Sequence, residues 1–207
     1  MKVLLINGST RKNGCTYTAL LEVSAVLNEE GIETEIIQTG STPIRDCTGC
    51  GGCRKTGRCV FDDDIVNELI EKAKTADGFV FGAPVYFAHP SAQIQALLDR
   101  VFYAGGTQFA YKPGAVVTSA RRAGTTASLD ALGKYLGITQ MPVVSSTYWN
   151  MVHGKTPDEV RQDKEGMQTM RNLGRNMAWM LKCIEAGKAH GITAPKAEMT
   201  EKTNFIR

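Results

Sequence analysis

Short apolar or β-branched runs, beginning with Val3-Leu4-Leu5-Ile6, alternate along this chain with longer stretches whose apolar residues recur at helical spacing. No other feature restricts the fold as much. Alternating strand and helix signals mark βαβ units, and parallel strands need such crossovers to pair. The expectation is an α/β chain, a three-layer sandwich with a five-stranded parallel sheet between helices. Strands are predicted near Lys2–Asn7, Glu33–Gln38, Gly78–Gly82, Gly114–Ser119 and Val143–Thr147. Helices are predicted over Thr16–Glu30, Asp64–Thr75, Pro90–Tyr103 and Thr125–Leu136, with a long last one from about Pro157 to Ala186. The chain has 207 residues, 43% of them hydrophobic, enough for one sizeable core. Residues 1–186 therefore read as one domain. Residues 187–207 lack periodicity, carry Pro195 and end in an apolar Phe205-Ile206, so they read as an arm, either loose or packed on a partner subunit.

In open parallel sheets ligands bind outside the carboxyl ends of the strands, where the strand order reverses. Five strands with their motifs on that edge fit a flavodoxin-like sheet. The first strand runs into Gly8-Ser9-Thr10-Arg11-Lys12-Asn13-Gly14-Cys15-Thr16, which offers hydroxyls on Ser9, Thr10 and Thr16, the Arg11 guanidinium, and a helix N-terminus. Such a turn suits a monophosphate. It has neither the Lys-Ser/Thr ending of a triphosphate loop nor the three-glycine spacing of a dinucleotide fingerprint. The alternative is an ordinary strand-to-helix turn with Asn13 or Cys15 near the N-cap. After the third strand, Ala83-Pro84-Val85-Tyr86-Phe87-Ala88 presents large flat side chains on which a planar ring could stack, or which simply cover the sheet end. His89 reads as a helix-start residue, Tyr103 as packing and Arg100 as part of a solvated face. After the fourth strand, Ser119, Arg121, Arg122 and Gly124 form a loop whose arginines could stabilise a reduced ring or bind an anion, with one of the pair solvated or salt-bridged.

Cys47, Cys50, Cys53 and Cys59 lie within thirteen residues, between the second strand and the next helix. Three thiolates at every third position can converge on one face of an iron–sulfur cluster, and the next Cys supplies a fourth ligand. Zinc is less suited, because its usual sites separate two ligand pairs by a longer spacer. Four free thiols in a glycine-rich loop remain an alternative. Asp62-Asp63-Asp64 reads as a helix cap, Cys183 as a buried apolar residue, and Met167, Met170, Met177 and Met180 with Trp179 as core or interface residues. The net charge of +3 arises from 24 basic and 21 acidic residues spread along the chain, which argues against nucleic acid as a partner. No run has transmembrane length and no cleavable leader opens the chain, so the expectation is a cytoplasmic protein without a membrane partner.

Three separated motifs carry a resemblance. Asn7 to Thr16, Gly82-Ala83-Pro84-Val85-Tyr86-Phe87, and the cysteine stretch ending in Cys59-Val60-Phe61-Asp62-Asp63-Asp64 resemble the NAD(P)H-dependent FMN reductases and the related iron–sulfur flavoproteins, over roughly residues 1–150. The resemblance implies FMN, with its phosphate held by Ser9, Arg11, Asn13, Cys15 and Thr16. It places Pro84, Val85, Tyr86, Phe87 and Ala88, with the loop of Ser119, Arg121, Arg122 and Gly124, around the isoalloxazine. It also implies a homodimer or homotetramer, with flavin near a subunit interface. The activity it implies is hydride transfer from NAD(P)H through flavin to a quinone, another flavin or another small-molecule electron acceptor. No side chain need act as acid or base, so no catalytic residue is assigned. Three other readings stay open: an iron–sulfur flavoprotein with a [4Fe–4S] cluster that takes electrons from ferredoxin, a flavin-binding redox sensor without turnover, and a specialised dehydrogenase acting on a small cyclic metabolite.

Overall fold

Alternation along β1 (Lys2–Asn7) sends Val3 and Leu5 to one face of the sheet and Leu4 and Ile6 to the other, and all four are buried. The computed structural model describes residues 1–203 and Phe205; Ile206 of the arm lies outside them. After β1 come α1 (Cys15–Glu29), β2 (Glu33–Gln38), α2 (Cys53–Thr56), α3 (Val66–Thr75), β3 (Gly78–Tyr86), β4 (His89–Pro90) and α4 (Ala92–Gly105). Then follow β5 (Gly114–Ala120), α5 (Thr125–Ile138), β6 (Met151–His153), α6 (Pro157–Gln162) and α7 (Lys164–Ala189).

The parallel strands lie in the order β2-β1-β3-β5-β6, and β4 pairs antiparallel to the end of β3. This is the flavodoxin-like order, with its reversal between β1 and β3. On one face Phe79 and Phe81 of β3 pack with Phe109, with ring centroids 4.5 and 6.4 Å from it, beneath α3, α4 and α5. On the other, Val80 meets Val3, Leu5 and Val117 beneath α1 and α7, where Met167, Met170 and Met177 are buried as expected. No helix among the described residues is long and apolar enough to cross a membrane.

Five expectations are corrected. The fifth strand is not Val143–Thr147: Val143 makes a single bridge to Gly114, and the ladder resumes only at Met151 opposite Thr118. Contacts to α7 compete with the ladder there, since Asn176 Nδ2 donates to Ser145 O at 2.8 Å and Ser146 Oγ to Thr169 O at 2.7 Å. The long last helix is broken at Asp163, whose carboxylate accepts from Gly166 N at 2.9 Å and His153 N at 2.7 Å, so a new N-cap replaces continuation. The helix expected from Pro90 begins at Ala92, because His89 and Pro90 form β4. Cys183 is exposed on α7, not buried. The helix also runs past Ala186 to Ala189 before regular structure ends.

Across the β1–β2 edge, Glu35 takes Lys2 at 2.8 Å and Lys72 at 2.7 Å. The hydrogen bond from Lys2, then that from Lys72, holds its carboxyl below the ordinary value of 4.5. A depressed carboxylate contributes stability that is complete above the unfolded value and is lost as pH falls through the lower folded one. Glu35→Gln should therefore cost up to about 1 kcal/mol near neutrality and nothing near about pH 2. Urea unfolding of both proteins at the two pH values measures this; an equal difference at both would remove the ionised pair as its source.

Candidate functional site

Gly14 is the N-cap of α1 and no side chain caps the helix, so the first-turn N–H groups of Cys15, Thr16 and Tyr17 have no intrahelical partner. The loop before them is built from beneath. Asn7, fully buried at the end of β1, accepts from Ser9 N at 3.2 Å through Oδ1 and donates to Lys12 O at 3.3 Å through Nδ2. Gln38 at the end of β2 donates to Ser9 O and accepts from Asn7 Nδ2. Ser9 Oγ in turn accepts from Arg11 N at 3.1 Å. Asn7 and Gln38 were missed in the sequence, although two polar residues ending adjacent parallel strands were the available signal. Arg11 and Asn13 are exposed on the loop, and Ser9 is buried.

Two other predicted residues are joined to each other. The hydroxyls of Thr16 and Ser119, both buried, lie 2.8 Å apart and tie α1 to β5 under the loop. Cys15 Sγ donates to Gly154 O at 3.5 Å, and burial pushes the thiol pKa up.

The second motif is a hairpin, not a loop. Tyr86 pairs with His89, so Phe87 and Ala88 form a two-residue turn, with φ of 49° and 62°. Such a turn ordinarily uses Asn-Gly, and each non-glycine residue held at positive φ costs about 1–3 kcal/mol. Phe87 is nonetheless fully exposed, at 102%. The third motif locks against this turn: Gly124, at φ 97°, sits so close that a Cβ would fall 2.5 Å from Ala88 Cα and 2.8 Å from Val85 Cγ1. Half-buried Pro84 is tied to the first loop, since Ser91 N donates to Pro84 O at 3.1 Å and Ser91 Oγ to Gly8 O at 2.9 Å. Arg121 and Arg122 are exposed, and His153 Nε2 donates to Arg122 O at 3.1 Å. The three loops thus form one interlocked rim at the reversal point of the sheet.

The cysteine segment lies beside α4. Cys47, Cys50, Cys53 and Cys59 all line one cavity together with Phe61, Arg100 and Tyr103, and Tyr103 is exposed rather than the packing residue expected. Among the described residues, no three His, Cys, Asp or Glu side chains converge as they would on a single metal ion. Asn67, buried on α3, accepts from Cys59 N at 2.8 Å and donates to Cys59 O at 3.0 Å. Asp64 Oδ1 accepts from Val66 N at 3.1 Å at the start of α3, although the N-cap is Ile65 and not a residue of the acidic run.

Arg100 is the correction here: it is 1% exposed rather than solvated, and its guanidinium donates to Cys59 Sγ at 3.2 Å, Phe61 O at 3.0 Å, Arg45 O at 3.2 Å and Asp64. Burial works against its charge, but Asp64 and Cys59 outweigh that and hold its pKa above the ordinary value. Three residues after Leu97 it lies on the buried face of α4, but its residue type pointed to solvent, because its partners all come from the distant segment 45–64.

Residues 1–156 match the family described as NADPH-dependent FMN reductase. An iron–sulfur flavoprotein of Methanocaldococcus jannaschii is 36% identical over 193 residues, covering 89% of this chain and 100% of that protein. An iron–sulfur flavoprotein of Methanosarcina thermophila is 30% identical, covering 91% and 99%. The structure of a flavodoxin from the domain Archaea superposes with a TM-score of 0.61 at 14% identity, over 88% of this chain and 99% of that one, which speaks for the fold alone. The interlocked rim and the clustered cysteines thus belong to a flavin oxidoreductase, and the chain is a member of the NADPH-dependent FMN reductase family with the iron–sulfur flavoproteins among its relatives.

Proposed function

We propose that this protein is an electron-transfer flavoprotein that holds FMN at the interlocked rim and a [4Fe–4S] cluster on Cys47, Cys50, Cys53 and Cys59. That all four cysteines line one cavity carries the reading. Their compact spacing in the chain suits a cluster, where each thiolate takes a different iron, better than one zinc, whose usual sites separate two ligand pairs by a longer spacer. The uncapped start of α1, with exposed Arg11 and Asn13, suits the FMN phosphate. Pro84 to Ala88 and the loop from Ser119 to Gly124 would flank the ring, whose backbone neighbours are fixed by the strained turn and by Gly124.

FMN supplies redox chemistry that can couple one- and two-electron partners, and a cluster supplies one-electron storage. The chain's own residues orient and insulate: Thr16 and Ser119 hold α1 against β5, Asn7 and Gln38 hold the phosphate loop, and Arg121 and Arg122 supply positive charge at the ring edge. Reduced ferredoxin fits as the donor, and a small molecule as the acceptor.

Anaerobic purification should give a brown protein with flavin bands and about four irons and four sulfides per chain. Flavin without iron would overturn the cluster, and rapid bleaching by NADPH without a mediator would replace the ferredoxin donor with direct hydride transfer.

A further inference from the structure

Among the described residues, Arg100 is the largest fully buried side chain. It stands on a helix whose neighbouring buried residues, Leu97, Leu98 and Val101, are apolar. A guanidinium is tolerated there only if its donors are used. Its four acceptors, Arg45 O, Cys59 Sγ, Phe61 O and Asp64, all belong to the cysteine segment, and its guanidinium also lies 5.6 Å from the Phe61 ring centre. It therefore binds both ends of the segment to α4. One of these bonds is unlike the rest. Nε is aimed at sulfur, and a neutral thiol is a weak acceptor, whereas a thiolate makes a charge-assisted bond. The geometry is that of a donor built for an anionic sulfur.

We propose that Arg100 is the positioning residue of the cysteine site, and that its Nε–H···Sγ bond to Cys59 raises the reduction potential of the cluster held there. The inference rests on the reading of the four cysteines as cluster ligands. A hydrogen bond to a ligand sulfur withdraws charge from it, and so favours the more negative, reduced cluster. Lysine preserves the charge but has no fork with which to hold sulfur, carbonyls and carboxylate together. Asn67 offers the contrast, because it fixes the backbone of Cys59 without touching the sulfur.

The test is a redox titration of wild type, Arg100→Lys and Asn67→Ser, each with measured iron content. Arg100→Lys should be harder to reduce by about tenfold in the equilibrium constant, 59 mV for a one-electron couple, and Asn67→Ser, which disturbs only the backbone of Cys59, should shift the potential less. An unchanged potential in Arg100→Lys, or equal shifts in both variants, overturns the role of Arg100 and leaves the cluster reading intact. Wild type without iron overturns the cluster reading and this inference with it. Where Arg100→Lys fails to retain a cluster, pulsed EPR of reduced wild type carrying guanidinium-15N arginine decides. A 15N coupling to the cluster is expected, and its absence refutes the bond.

Discussion

Asp64→Ala is expected to destabilise the protein by about 3–5 kcal/mol, the cost of leaving one member of a buried ion pair without the other. Arg100 and Asp64 are 1% and 6% exposed at their side chains, so water cannot take over the lost partner's role. The remaining acceptors, two carbonyls and a sulfur, are hydrogen-bonded but none is a carboxylate. The variant also loses the acceptor for Val66 N at the start of α3, which adds on the order of 1 kcal/mol. Urea unfolding at matched flavin and iron content is the measurement, since bound ligands shift apparent stability by mass action. Joint replacement, Arg100→Met with Asp64→Leu, should recover part of the loss, because apolar side chains often substitute for a buried pair at little cost, while Arg45 O, Phe61 O and Val66 N still lose the partner the pair gave them. A loss below about 1 kcal/mol in Asp64→Ala would place the pair with surface salt bridges and remove its structural role.

What the chain reveals before folding is what depends on local pattern. β1 and β2 are read to the residue because burial on both faces at β1, and β-branched runs between turn signals, leave little choice. The Gly8-to-Thr16 loop and the four cysteines stand in the sequence as short motifs for the same reason. Elements decided by distant partners are not legible this way. Val143 begins a strand by propensity, yet α7 draws the following backbone away from the sheet, and the ladder restarts at Met151. Asp163 sits inside a helical pattern, but His153 and Gly166 both draw on its carboxylate and end the helix. Arg100 looks solvated by residue type, and only the folding of segment 45–64 over α4 supplies acceptors that justify burying it. The hairpin turn is a different case. Phe87-Ala88 violates the usual turn chemistry, and no local rule would put two such residues at positive φ. Strain of this kind persists where the surroundings overdetermine it, which is common at ligand sites.

Gly124→Val should lower FMN affinity by about a hundredfold, close to 3 kcal/mol, while costing only roughly 1–3 kcal/mol of stability. The difference in readouts follows from what the new side chain meets. Gly124 lies at φ 97°, in the left-handed region that a β-branched residue resists, and its Cβ would stand 2.5 Å from Ala88 Cα. That neighbour is backbone, so no rotamer change relieves the contact. The hairpin turn must move away from the β5 loop, and it can do so without unfolding the sheet because Tyr86, Phe87 and Ala88 are exposed. On the proposed placement of FMN, those same two segments flank the ring, and their separation removes backbone contacts on both sides at once. Titration of the apoprotein with FMN, followed by flavin fluorescence, gives the affinity, and urea unfolding of the apoprotein gives the stability. Lost affinity with a small stability change is the expected pair. Unchanged affinity would take the ring out from between these loops, because a ligand seated there could not be indifferent to a displacement of its own walls.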